Sequence, residues 1–145
     1  GPLVLAHLLG ARLTARGRGG IVLMSSLAAT QGSPLVATYA ASKAFNLVLA
    51  EGLWDELRER GVDVLACRAG ATRTPAYEQS RPATQEAPLM EPRPVVVEEL
   101  DALGRTSSMV PGRMNRLVEF FLARALPRQA AVRIMGRATR RMYRA

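Results

Sequence analysis

Three observations predict an α/β fold built on a parallel sheet. Helical and strand-like patterns alternate along the chain in the order α-β-α-β-α-β-α. The clearest strand-like runs, "IVLMSS" and "VDVLAC", are largely apolar without alternation, the mark of strands covered on both faces. Glycine, proline or serine punctuates the junctions between them. That order implies right-handed crossovers between parallel strands. At 145 residues, 48% apolar and 22% charged, the chain is long enough for one domain with a real core.

From Pro2 to Arg16, leucines recur at helical spacing (Leu5, Leu8, Leu9, Leu13), which reads as an amphipathic helix that "GRGG" breaks. "IVLMSS" follows as the first strand, with Ser25 and Ser26 at its end, and "ATQGSP" reads as a loop. The next helix is expected from Leu35 to Arg60, stopped by Gly61. "VDVLAC" is the second buried strand. A proline-, threonine- and arginine-rich loop is expected from Ala69 to Pro94, its part from Pro75 onward covering a cleft. "VVVEELDALG" reads as a short helix stopped at Gly104, "TSSMV" as a weak third strand, and Gly112 to Leu126 as an arginine-studded helix broken by Pro127.

Charge is distributed unevenly. Residues 111–145 hold nine arginines against Glu119, a balance of +8, whereas eleven basic and eleven acidic residues cancel over residues 1–110. The expected organisation is therefore a body over 1–110 and a basic helical extension over 111–145. The one cysteine, Cys67, forms no internal disulfide and fits a reducing, cytoplasmic setting. No signal peptide and no run of membrane-spanning length is read in the sequence, and no metal-ligand set is assigned.

In "TYAASKAF", Tyr39 and Lys43 stand four residues apart and share one helix face. A protonated amine beside a phenol favours the phenolate, which suits an acid/base catalyst. Lys43 is the only lysine in the chain. Tyr-x-x-x-Lys is nonetheless common by chance, and spacing alone leaves an ordinary surface helix open. Ligands on parallel sheets sit at the C-terminal ends of strands. Ser25 and Ser26, the start of the Tyr39 helix, and residues Ala69 to Thr74 are all expected to converge there.

The stretch from Gly19 to Tyr77 resembles the catalytic half of the short-chain dehydrogenase/reductase family. It carries a strand ending in Ser-Ser, Tyr-x-x-x-Lys thirteen residues after the second serine, a "GVDV" strand and a Gly-x-x-x-Thr loop. The resemblance implies the C-terminal part of a doubly wound, Rossmann-type parallel sheet, with about three strands present. It implies an oxidoreductase that interconverts a ketone or aldehyde and an alcohol with NAD or NADP. Tyr39 would be the acid/base, Lys43 would assist it and hold the nicotinamide ribose, and Ser26 would hydrogen-bond the substrate oxygen. Gly70, Thr72 and Thr74 would contact the cofactor, Gly70 by adopting unusual backbone geometry. Ser25, the strand neighbour of Ser26, would face the other way.

Two departures from the family stand out. Ala69-Gly70 replaces the usual Pro-Gly pair, and the Gly-x-x-x-Gly-x-Gly dinucleotide fingerprint is nowhere in the chain. The sequence thus reads as a family member cut before its C-terminal half, with an exposed first-strand edge. The resemblance also implies a homo-oligomer for the whole protein, since the first helix and the Leu35 to Arg60 helix often build a dimer interface in the family. The alternative is a non-catalytic binding or membrane-surface module that keeps the fold. In the basic tail, Leu117, Phe120, Phe121 and Leu122 lie beside Arg113, Arg116 and Arg124, so peripheral membrane contact is one expectation. A solvated arginine-rich extension over the substrate cleft or the dimer face is another. Nucleic acid is disfavoured because aromatic residues are too few for a stacking platform. The tail pattern "VPGRMNR…LPR" also resembles the tails of some family members acting on lipid-like or acyl substrates.

Overall fold

Helix α1 (Pro2–Arg16) opens on a proline, whose fixed φ suits a helix start, and stops where Gly17 takes φ 70°. In the computed structural model, which describes residues 1–80 and 89–143, the chain then enters β1 (Gly19–Met24), two residues earlier than the apolar run alone suggests. Ser25 and Ser26 fall just past its end. A 3₁₀ turn at Leu27–Ala29 leads into the expected loop before α2 (Ala37–Arg58). β2 (Val62–Cys67) follows, then a short α3 (Pro75–Ser80) inside the stretch expected to be loop. Residues 81–88 of the expected cleft-covering loop lie outside the described residues.

Helix α4 (Pro92–Ala102) leads to a two-residue β3 (Ser108–Met109). The tail forms α5 (Arg113–Phe120), a π-helical turn at Phe121–Ala125, and α6 (Arg128–Tyr143). The single helix expected over Gly112 to Leu126 is therefore two pieces, with Pro127 at the break before α6.

The sheet has the order β1-β2-β3 and is parallel throughout. Its register runs from Gly19 opposite Val62 to Met24 opposite Cys67, with Ala66 and Cys67 opposite Ser108 and Met109. The central strand is the most deeply covered: Val62, Val64, Leu65, Ala66 and Cys67 are fully buried. Each of its larger aliphatic side chains contributes about 1.5–3 kcal/mol by leaving water. α2 lies on this sheet through Ala50, which packs with Leu23, Val64 and Ala66, while Leu47, Leu53 and Trp54 close the sides. A small residue at the crossing lets the helix approach closely.

α1 forms over the expected residues, Pro2–Arg16. Only Ala6 and Gly10 are buried, and Leu3, Leu5, Leu8 and Leu9 are exposed. Its leucine spacing is that of a helix with a buried face, but among the described residues that face is largely uncovered. Instead Leu5, Leu9 and Leu13 line a groove of ≈ 780 Å³ along the free edge of β1.

Candidate active site

The C-terminal ends of β1 and β2 are stitched together beyond the sheet proper. Ser25 N–H donates to the Cys67 carbonyl at 2.8 Å, and Leu27 N–H to the Ala69 carbonyl at 3.1 Å. The two adjacent serines then diverge, as neighbours on extended backbone must. Ser25 is buried and its hydroxyl donates to the Lys43 carbonyl at 2.8 Å, pinning β1 to the middle of α2. Ser26, extended at φ −158° and ψ 159°, accepts from Ala28 N–H at 3.2 Å and so caps the 3₁₀ turn. That contact uses one lone pair of Ser26 Oγ and leaves its O–H free to donate.

The chain reaches α2 through Leu35, which holds φ 68°, a conformation costly for a bulky side chain. Tyr39 and Lys43 share a face as the spacing requires. Lys43 Nζ lies 5.6 Å from the Tyr39 ring centroid and donates to the Met24 carbonyl at 3.1 Å. The ammonium is thereby fixed at the end of β1 with Tyr39 beside it, and Tyr39 is 48% exposed.

Asn46, which sequence reasoning passed over, belongs to the same face. It is buried, and its Nδ2 donates to that same Met24 carbonyl at 3.0 Å. One acceptor thus holds two donors from successive turns of α2. The signal for Asn46 was its position three residues past Lys43 and seven past Tyr39.

The second loop corrects one expectation. Gly70 is not among the residues of positive φ. The glycine instead makes room for a side chain: a Cβ on Gly70 would lie 2.6 Å from Nδ2 of Asn115, so that amide, held by the Pro111 carbonyl at 3.0 Å, would have to shift. Thr72 Oγ1 donates back to the Gly70 carbonyl at 3.1 Å. The bridge between Thr72 and Met90 uses Met90 N–H to Ala71 O and Arg73 N–H to Met90 O. Thr72's own N–H consequently points to the opposite side. Thr74 Oγ1 accepts from Tyr77 N–H at 3.2 Å and caps α3. Ser26, Tyr39, Lys43 and Ala69 therefore gather at the strand ends, whereas the Thr74 hydroxyl is engaged in starting a helix.

Around this edge the charges are paired. Arg68 meets Glu119 of α5, and Arg73 bridges Glu78 and Glu91, each at 2.9 Å. Cys67, at the end of β2, is pushed up to about 12, first by burial and then by its contact with Glu99, so it stays a neutral thiol.

A parallel sheet with a Tyr-x-x-x-Lys helix docked at its strand ends defines an α/β protein with a candidate acid/base pair at the edge where such sheets bind ligands. The family model for short chain dehydrogenases matches residues 1–85, and the chain belongs to that family. It is 31% identical over 115 residues to the 7beta-hydroxysteroid dehydrogenase of Clostridium sardiniense, covering 78% of this chain and 44% of that enzyme. Among solved structures, a 7beta-hydroxysteroid dehydrogenase superposes with TM-score 0.77 at 28% identity, over 89% of this chain and 50% of the other. A short chain dehydrogenase from Burkholderia cenocepacia in complex with NADP gives 0.74 at 26% identity, over 92% and 53%. The chain thus spans about half the length of the relatives it matches.

Proposed function

We propose that the whole protein is an NAD(P)-dependent oxidoreductase interconverting a ketone and an alcohol on a bulky, apolar, steroid-like skeleton, with residues 1–110 as its catalytic half. The observation that carries this reading is the placement of Lys43: its Nζ is anchored on the Met24 carbonyl and stands 5.6 Å from the Tyr39 ring, at the C-terminal edge of a parallel sheet. The 7beta-hydroxysteroid dehydrogenase relatives support the substrate class, and the NADP-bound neighbour supports the cofactor class.

The residues present fit the nicotinamide end of such a cofactor. Lys43 keeps two N–H donors after its bond to Met24, suited to ribose hydroxyls. The Thr72 N–H faces away from its bridge to Met90, which suits a carboxamide acceptor. Gly70 and Thr74 flank it in the same loop. The pyrophosphate end has no glycine fingerprint in this sequence to hold it. When bound, the reduced nicotinamide supplies the hydride for the carbonyl carbon.

The chain's own groups handle the proton. Tyr39 gives its phenolic proton to the carbonyl oxygen as negative charge builds there, and takes it back in the reverse direction. The Lys43 ammonium stabilises the phenolate left behind. Ser26 donates its free O–H to the same substrate oxygen. Self-association belongs to the same reading, and exposed Leu3 and Leu8 on α1 with Phe45 and Val48 on α2 supply apolar surface for it.

The test is Tyr39→Phe in the whole protein, assayed with a hydroxysteroid and with nicotinamide cofactor binding followed by fluorescence. Turnover falls by about 10²–10⁴-fold or more, while cofactor affinity stays nearly unchanged. Turnover retained in this variant refutes the assignment.

A further inference from the structure

Helix α5 is folded onto the body with its polarity reversed. Met114, Leu117, Val118 and Phe121 recur at i, i+3, i+4 and i+7, one stripe of a helix, and are 67%, 52%, 43% and 53% exposed. Within Arg113–Phe120 the residues turned inward are polar: Asn115 donates to the Pro111 carbonyl and Glu119 accepts from Arg68; the apolar Leu122 and Leu126 are half-buried only beyond that helix. A helix whose partner was the protein core would have these faces exchanged.

The charges around the stripe are equally one-sided. Residues 111–145 carry nine arginines and one acid, Glu119. Arg68 takes Glu119, and Arg116 pairs with Glu98. Arg113, Arg124, Arg128, Arg133, Arg137 and Arg140 have no acidic partner among the described residues. Arg113 and Arg124 border the stripe by helical position.

Three occupants can be set aside. α6 does not cover the stripe, because its small-residue face is spent on the loop after β1, where Gly136 packs against Pro34 and Val132 reaches Gly32. A continuation of the sheet at the free edge of β1 would build away from β3, the opposite edge, from which α5 emerges. A second copy seated on the stripe would bring two segments of +8 together. What remains complementary is a surface that takes aliphatic and aromatic side chains to shallow depth and meets arginines with negative charge.

We propose that α5 is an in-plane anchor that seats the protein on anionic phospholipid bilayers. Leu117, Val118 and Phe121 enter the headgroup boundary, and Arg113, Arg124 and the arginines of α6 engage lipid phosphates. This inference does not depend on the catalytic reading, since it needs no turnover.

The experiment is flotation of the whole protein with phosphatidylcholine vesicles, with and without phosphatidylglycerol. The expected result is flotation only with phosphatidylglycerol, weakened by salt. Leu117→Glu combined with Phe121→Glu abolishes it, and Arg124→Gln and Arg128→Gln each weaken it about fivefold. If the double glutamate variant fails to fold, Phe121→Trp in a Trp54→Phe background serves instead, and bilayer seating then requires quenching by lipids brominated on their acyl chains. Absence of flotation, equal flotation on neutral vesicles, an unaffected glutamate variant or an unquenched indole in the Phe121→Trp variant overturns the proposal. So does a stripe variant that splits an oligomer while the parent ignores vesicles, which would assign the face to a second copy.

Discussion

The two adjacent serines separate structure from chemistry, because replacing each by alanine removes a different kind of contact. In Ser25→Ala the loss is a buried hydroxyl donating at 2.8 Å to the Lys43 carbonyl. That carbonyl keeps its place in the α2 ladder, so no acceptor is orphaned and the cost is one net hydrogen bond, about 0.5–1.5 kcal/mol. For a domain of this size the melting temperature drops by about 2–4 °C per kcal/mol. In Ser26→Ala the cap on Ala28 N–H is lost, worth about 0.5 kcal/mol for so short a turn. The larger effect is on rate: removing one donor aimed at a developing oxyanion costs about 10²–10³ in kcat. Thermal unfolding and steady-state kinetics on the same preparations of the whole protein read both quantities. The expected pattern is a less stable, active Ser25→Ala and a nearly stable, slow Ser26→Ala. If Ser26→Ala turns over normally, or Ser25→Ala loses rate a hundredfold with unchanged melting, this division of labour between the serines is wrong.

Other consequences are mechanical and electrostatic. Gly61 sits at φ 75° with the site of a Cβ 2.2 Å from the Gly17 carbonyl oxygen, so Gly61→Ala combines left-handed strain with a backbone clash. A destabilisation of about 2–5 kcal/mol is expected by chemical denaturation, with normal activity per folded molecule. The Cys67 thiol, raised in the fold from 9.0 to about 12, keeps its proton where the unfolded chain loses one. Its contribution is therefore fully present below pH 9 and lost as pH rises to 12, and Cys67→Ala should flatten the part of the alkaline stability slope that Cys67 supplies. A slope unchanged in that variant would show that the thiol ionises equally in both states.

What could be read from sequence was whatever depended on short-range periodicity. The shared face of Tyr39 and Lys43 follows from a helical repeat, and the buried β2 from an apolar run, so both were legible. Gly70 was not, because the crowding there comes from Asn115, forty-five residues away, rather than from its own φ. Asn46 was hidden for a similar reason: its partner is the carbonyl of Met24, and a backbone acceptor leaves no mark in a sequence. The dual position of Ser26, cap and candidate donor, needed the 3₁₀ turn to be seen. In the tail the sequence suggested Leu117, Phe120, Phe121 and Leu122, whereas the exposed stripe is Met114, Leu117, Val118 and Phe121 and Leu122 is half-buried, because which way a helix faces is set by its tertiary contacts.

Two of the exposed apolar surfaces among the described residues differ in a way that decides what each can accept. Beside α1 the groove of ≈ 780 Å³ is bounded by consecutive residues of β1, from Gly20 to Met24, and that strand pairs only with β2 among the described residues. Along most of that edge, backbone groups face the groove with no strand to receive them. Leaving such groups buried and unpaired costs about as much as the apolar contact gains, so only a partner with its own backbone donors and acceptors, a further strand, fills it well. This agrees with a chain that covers 44% of a relative's length. The α5 stripe makes no such demand, because its backbone is satisfied within the helix. It needs area and negative charge but no hydrogen-bond register, which is what a bilayer offers and a sheet does not.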